Sequence, residues 1–81
     1  MPYIKRSLRL ALDEKLPTVE TAAQLQYIIA KVVKSYMDQG AINYQRCNDI
    51  MGALAGAQQE FYRRVVVPYE NQKIQENGDI E

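Results

Sequence analysis

From Cys47 to Pro68 one pattern repeats without a break: Cys47, Met51, Leu54, Gln58, Phe61, Val65 and Pro68 follow at steps of four and three. That spacing returns side chains to a single stripe of an α-helix, close to a heptad seam, and a strand of period two cannot reproduce it. The segment therefore demands a long helix and something to cover its apolar stripe. Its other side carries Gly52, Ala53, Gly56 and Ala57. Such small residues weaken an isolated helix but let another backbone come close. Two packable faces predict two partners, one the preceding helix and the other a neighbouring subunit.

The rest of the chain is punctuated for helices as well. Ile4, Leu8, Leu12 and Leu16 stand four apart, and Pro17 pushes Leu16 out of the helical region, so a first helix should end there. Thr21-Ala22-Ala23-Gln24 has the form of a capping box, with Thr18 as a competing start. The second helix carries Ala22, Leu25, Ile29, Val32 and Tyr36 on one stripe and should stop at Gly40 in the left-handed conformation. Asn43 suits the N-cap of the third. Pro68 lacks a backbone donor and should kink or restart the helix, with Asn77-Gly78 ending the last piece. No run alternates as a half-buried strand would. The expectation is one all-α domain over 1–81, a small three-helix hairpin or bundle with a long C-terminal helix kinked at Pro68. Its helices should cover about 5–16, 21–39, 44–67 and 68–76.

Eighty-one residues hide only about 60% of their unfolded surface, so a lone core is marginal. Small scaffolds add disulfides, a metal or a partner chain. Cys47 is the single cysteine and there is no histidine, which rules out an internal disulfide and disfavours a zinc site. By elimination, a homo-oligomer is expected. No stretch has the apolar length of a membrane span, and the first residues do not read as a signal peptide. With a free thiol, this points to a reducing cytoplasm.

Ten basic and ten acidic residues cancel, which removes the counterion-release drive toward long nucleic acids. Lys5, Arg6 and Arg9 make the first residues basic, while Glu70, Glu76, Asp79 and Glu81 make the last ones acidic. These are either ordinary solvated ends or complementary ends that pair.

Enzyme signatures are missing. Histidine, the usual base near neutral pH, is absent. Ser7 and Ser35 have no recognisable activating partner, and Cys47 lies on an apolar stripe as a structural thiol would. Neither a catalytic site, a cofactor nor a metal is expected. Six of the seven aromatic residues are tyrosines, several of them near basic side chains. Tyr27 is followed by Lys31 and Lys34 on one side of the second helix, Tyr3 sits by Lys5 and Arg6, and Tyr62 adjoins Arg63 and Arg64. Tyr69 follows Tyr62 by one heptad. A tyrosine ring stacks on bases and an arginine fork matches phosphate, so the combination suits a nucleotide. The plainer alternatives are core-edge tyrosines and arginines that are solvated or paired with Glu60 and Glu70. Arg63 and Arg64 point about 100° apart on a helix, so serving one site together would need two helices or two subunits.

The run Glu60 to Glu70, continuing through Asn71-Gln72-Lys73-Ile74 to Glu76-Asn77-Gly78-Asp79, resembles the C-terminal half of a family of small uncharacterised proteins. That family is encoded largely by tailed bacteriophages. Met1-Pro2-Tyr3-Ile4-Lys5 and Asn43-Tyr44 are similar to the same family, whereas the middle helix matches only in pattern. By analogy, small helical phage proteins include oligomers that sequester nucleotide second messengers of bacterial immunity. This implies a non-enzymatic protein of the host cytoplasm, holding such a signal in pockets between subunits. Lys5, Arg6, Arg63 and Arg64 would hold phosphates, and Tyr3, Tyr62 and Tyr69 would stack on bases. The alternative is a small adaptor or inhibitor that binds a host or phage protein through its apolar helix faces.

Overall fold

The computed structural model describes residues 4–80. The protein is all-α, with three helices and no strand among the described residues. Its chain divides into two units, Met1–Cys47 and Asn48–Glu81.

The first unit holds α1 (Arg6–Asp13), α2 (Ala22–Met37) and the opening turn of α3 (Tyr44–Phe61). α1 stops three residues before the expected Leu16. Lys15 N–H donates to the Leu12 carbonyl at 2.9 Å and Leu16 N–H to that of Asp13 at 3.3 Å. The backbone thus tightens into three-residue steps, which release Leu16 into the conformation that Pro17 imposes.

α2 begins as the capping box requires, at Thr21 rather than Thr18. The Thr21 hydroxyl accepts from Gln24 N–H at 3.1 Å, and Gln24 Oε1 accepts from Glu20 N–H at 2.8 Å. The reciprocal bond therefore lands one residue before the usual N-cap amide. Asn43 also caps as expected, its Oδ1 accepting from Arg46 N–H at 2.8 Å.

The end of α2 departs from expectation. The helix stops at Met37 with Asp38 in the right-handed region. Among the described residues only Gly78 has positive φ, so Gly40 is no left-handed cap. What Gly40 provides is room. A Cβ there would collide with the Arg46 guanidinium, which donates to the Tyr36 carbonyl at 3.1 Å. Arg46 thereby gives the Tyr36 carbonyl, which also accepts from Gln39 N–H at 3.3 Å, a second donor from across the turn.

The second unit is one helical run. α3 passes into a π turn over Tyr62–Val66, and α4 (Val67–Asn77) follows without a stop, giving a helix of 34 residues from Tyr44 to Asn77. The expected interruption at Pro68 takes the form of this turn. Val67 N–H donates to the Tyr62 carbonyl, five residues back, and Pro68 sits in the first turn of α4, where its missing donor costs least. Gly78, at φ 85°, ends the helix, its N–H donating to Ile74 at 2.8 Å.

A turn of five-residue steps takes up one residue more than an α-turn, so the heptad seam slips by one beyond it. Val66 and Val67 are half-buried while Val65 is exposed. Downstream of Phe61, Val66 and Tyr69 continue the seam in place of the expected Val65 and Pro68.

No described residue is buried. Within the first unit α1 and α2 do not pack on each other, and the second unit has no other helix of its own. The seam that the sequence assigns to a core is open to solvent, Met51 at 67% and Phe61 at 59%. No helix of the described residues is long and apolar enough to cross a membrane.

Candidate functional site: a double-arginine fork beside a π turn

The polar chemistry expected near Tyr62 is organised by Glu60. Arg63 Nη2 donates to Glu60 Oε1 at 2.8 Å, and Arg64 Nε donates to Oε2 at 2.7 Å. Each carboxylate oxygen thus receives one guanidinium. This is the pairing with Glu60 that the sequence offered as the plainer alternative, and it brings two adjacent arginines to one carboxylate on a single helix. Their own directions diverge, but residues at i+3 and i+4 both neighbour residue i, and arginine is long enough to close the remaining gap.

The fork is a surface feature. Both arginine side chains are 63% exposed and Glu60 is 24% exposed. The hydrogen bonds from Arg64 and Arg63 hold the Glu60 carboxyl below the usual carboxylate range, against an opposing effect of desolvation. Two cations meet one anion here, so the cluster keeps a net positive charge. Planar guanidinium groups are the usual recognition device for phosphate and carboxylate.

The tyrosines lie on either side of the turn. Tyr62 opens the π turn and Tyr69 stands in the second α4 position after Val67, and both are exposed. The extra residue moves Tyr69 away from the line of Tyr62, so one heptad of sequence does not place the two rings on one stripe. Lys73 Nζ lies 5.5 Å from the Tyr69 ring centroid and bonds Glu76 at 3.1 Å. Tyr69 is thus engaged in a cation–π contact, which sequence reading had left out. The Tyr27 ring holds Lys31 Nζ at 5.5 Å, while Lys34 pairs with Asp38 at 2.8 Å, so the Tyr27–Lys31–Lys34 group splits into two local pairs.

The other expected site residues belong to the first unit. Lys5 occupies the N-cap of α1 without a side-chain cap, and Arg6 opens that helix. Both are exposed. Tyr3 lies outside the described residues. Arg46 went unnoticed in the sequence. Its Cζ is 5.6 Å from the Tyr36 ring centroid, and the only available signal was an arginine three residues past an N-cap asparagine. The first unit also carries an open depression of about 470 Å³ lined by Thr18, Glu20, Ala23, Gln24, Tyr27 and Ile28. Among the described residues no three His, Cys, Asp or Glu side chains gather as metal ligands would.

These features define a small all-α protein with a charged fork on its long helix. The family described as "Domain of unknown function (DUF6899)" matches residues 1–80, and the chain belongs to it. No curated protein and no solved structure matches the chain.

Proposed function

We propose that this is a phage-encoded, non-enzymatic binding protein. It sequesters a small nucleotide second messenger of bacterial anti-phage immunity in pockets between subunits. The observation that carries the reading is the convergence of Arg63 and Arg64 on one carboxylate at the π turn. A pair of guanidinium groups already gathered on one anion needs little reorganisation to accept a phosphate, and Glu60 keeps the pair assembled until the ligand competes for it. The exposed rings of Tyr62 and Tyr69 supply stacking surfaces nearby, and Tyr69 falls on the seam where a second subunit would complete a pocket. Lys5 and Arg6 are further cations, and Tyr3 a further ring, that the sequence offers for phosphate and base.

The π turn adds weight, because single π turns inside α-helices occur frequently at functional sites. Calorimetric titration with cyclic dinucleotides and cyclic ADP-ribose variants tests the proposal. Heat at a fixed stoichiometry, lost in R63A and R64A, is expected, and silence with every compound counts heavily against it.

A second reading, a small adaptor that binds a host or phage protein, is favoured by the exposure of Leu25 and Val32 on α2. Recovery of one stoichiometric protein partner with no nucleotide bound would select it.

A further inference from the structure

We infer that Asn77 is a site of self-modification. Its side-chain amide is lost through a cyclic imide formed with Gly78, at a rate set by the opening of the last turn of α4. The inference is independent of any ligand.

The chain has four asparagines, Asn43, Asn48, Asn71 and Asn77, and only Asn77 is followed by glycine. The reaction is an attack by the next residue's backbone nitrogen on the asparagine side-chain carbonyl carbon. Glycine has no Cβ to crowd that approach, whereas Tyr44, Asp49 and Gln72 do. The bond from Gly78 N to Asn77 Cγ forms, and the bond from Cγ to Nδ2 breaks. Ammonia leaves with the proton that the Gly78 N–H gives up. Water then opens the imide ring at one of its two carbonyls. One opening leaves aspartate, and the other leaves isoaspartate, whose backbone runs through the former side chain. Nothing but water is consumed.

The fold holds this reaction in check. Asn77 is the last residue of α4, and Gly78, at φ 85°, turns the chain out of the helix. Gly78 N–H donates to the Ile74 carbonyl at 2.8 Å, so the nucleophile is also the donor that closes the helix. While Asn77 is helical, its ψ keeps that nitrogen off the line that reaches Cγ. Attack therefore waits until the closing bond opens, and the ends of helices are where opening costs least. The turn is braced by Glu76, which accepts from Gln72 at 3.2 Å and from Lys73 at 3.1 Å.

Conversion runs one way. The new carboxylate stands at the negative end of the helix, between Glu76 and Asp79. Isoaspartate also adds a backbone carbon between the Ile74 carbonyl and its donor. Each change loosens the turn that restrained the reaction.

The test ages the purified full chain in mildly alkaline buffer, with and without denaturing urea. Peptide mass spectrometry with electron-transfer fragmentation then separates isoaspartate from aspartate. In buffer, conversion to both products at Asn77 alone is expected, several-fold slower than in urea. Q75G weakens the last turn and should speed conversion in buffer, Q75A should slow it, and in urea both should match wild type. Asn77 left intact in buffer after the urea sample has converted would overturn the inference. So would equal rates with and without urea, aspartate formed without isoaspartate, or Q75G and Q75A that behave alike in buffer. The wild-type comparison decides the matter even if Q75G fails to fold.

Discussion

Arg46 and Tyr36 meet twice: the guanidinium donates to the Tyr36 carbonyl at 3.1 Å, and its Cζ lies 5.6 Å from the ring centroid of the same residue. One side chain thus ties the end of α2 to the start of α3. R46A should destabilise the chain by about 1–2 kcal/mol, the combined size of a net hydrogen bond and an exposed cation–π contact. R46K should recover part of that. Chemical denaturation at one fixed protein concentration measures both.

Gly40 gives a sharper version of the same test. A Cβ at this position collides only with the far end of Arg46, a flexible side chain. G40A should therefore destabilise wild type by displacing the guanidinium. In an R46A background it should be neutral or stabilising by about 0.4–1 kcal/mol, since alanine restricts the unfolded chain more than glycine does. A double-mutant cycle reads the coupling, and purely additive effects would refute the contact.

The local punctuation of the fold was legible because its causes are local. Thr21, Asn43, Pro17 and Gly78 act on backbone groups within a few residues, and each does what its chemistry implies. Gly40 misled because glycine after a helix signals either left-handed backbone or a need for space, and only the distant Arg46 decides between them. Pro68 announced that a hydrogen bond must be given up but not how the backbone would rearrange. A π turn six residues before it in the chain begins the answer. For the fork, the angle between neighbouring residues was read correctly, yet the shared neighbour Glu60 mattered more. The exposure of the seam was not legible, since apolar residues at steps of three and four read the same whether or not anything packs on them.

Acid should loosen the fork. Glu60 has its folded pKa lowered by Arg64 and Arg63. Its contribution is therefore fully present above the unfolded glutamate value of about 4.3 and fades as pH falls through the lower folded value. Circular dichroism during denaturation between about pH 5 and pH 2 should show a steeper loss in wild type than in E60Q. Parallel curves would mean that the pairing does not contribute.

E60Q separates two roles for the same carboxylate. If Glu60 is only a structural counter-ion, its removal weakens the helix and any binding with it. If it keeps the arginines assembled for an incoming phosphate, E60Q should weaken nucleotide binding several-fold in calorimetry at a temperature where circular dichroism shows the helix intact. R63A and R64A should each weaken binding, and added salt should weaken it further.

Truncation of the α2 cap has a predictable cost. T21A removes the hydroxyl that accepts from Gln24 N–H, and about 1 kcal/mol should be lost. Amide exchange at Gln24 should accelerate before exchange in the middle of α2 does.

The π turn makes the long helix a ruler with two scales. On either side of it the steps are regular, but the zero of the second scale is offset by one residue. Deleting a single residue between Tyr62 and Val66 would barely shorten the rod, yet it would rotate everything beyond by roughly 100° relative to Met51 and Phe61. Tyr69, Lys73 and Glu76 would leave their present bearings together, carried round as one rigid block. Change of length in this helix is thus coupled to change of direction, and an insertion or deletion at this turn acts as a rotation of the C-terminal arm.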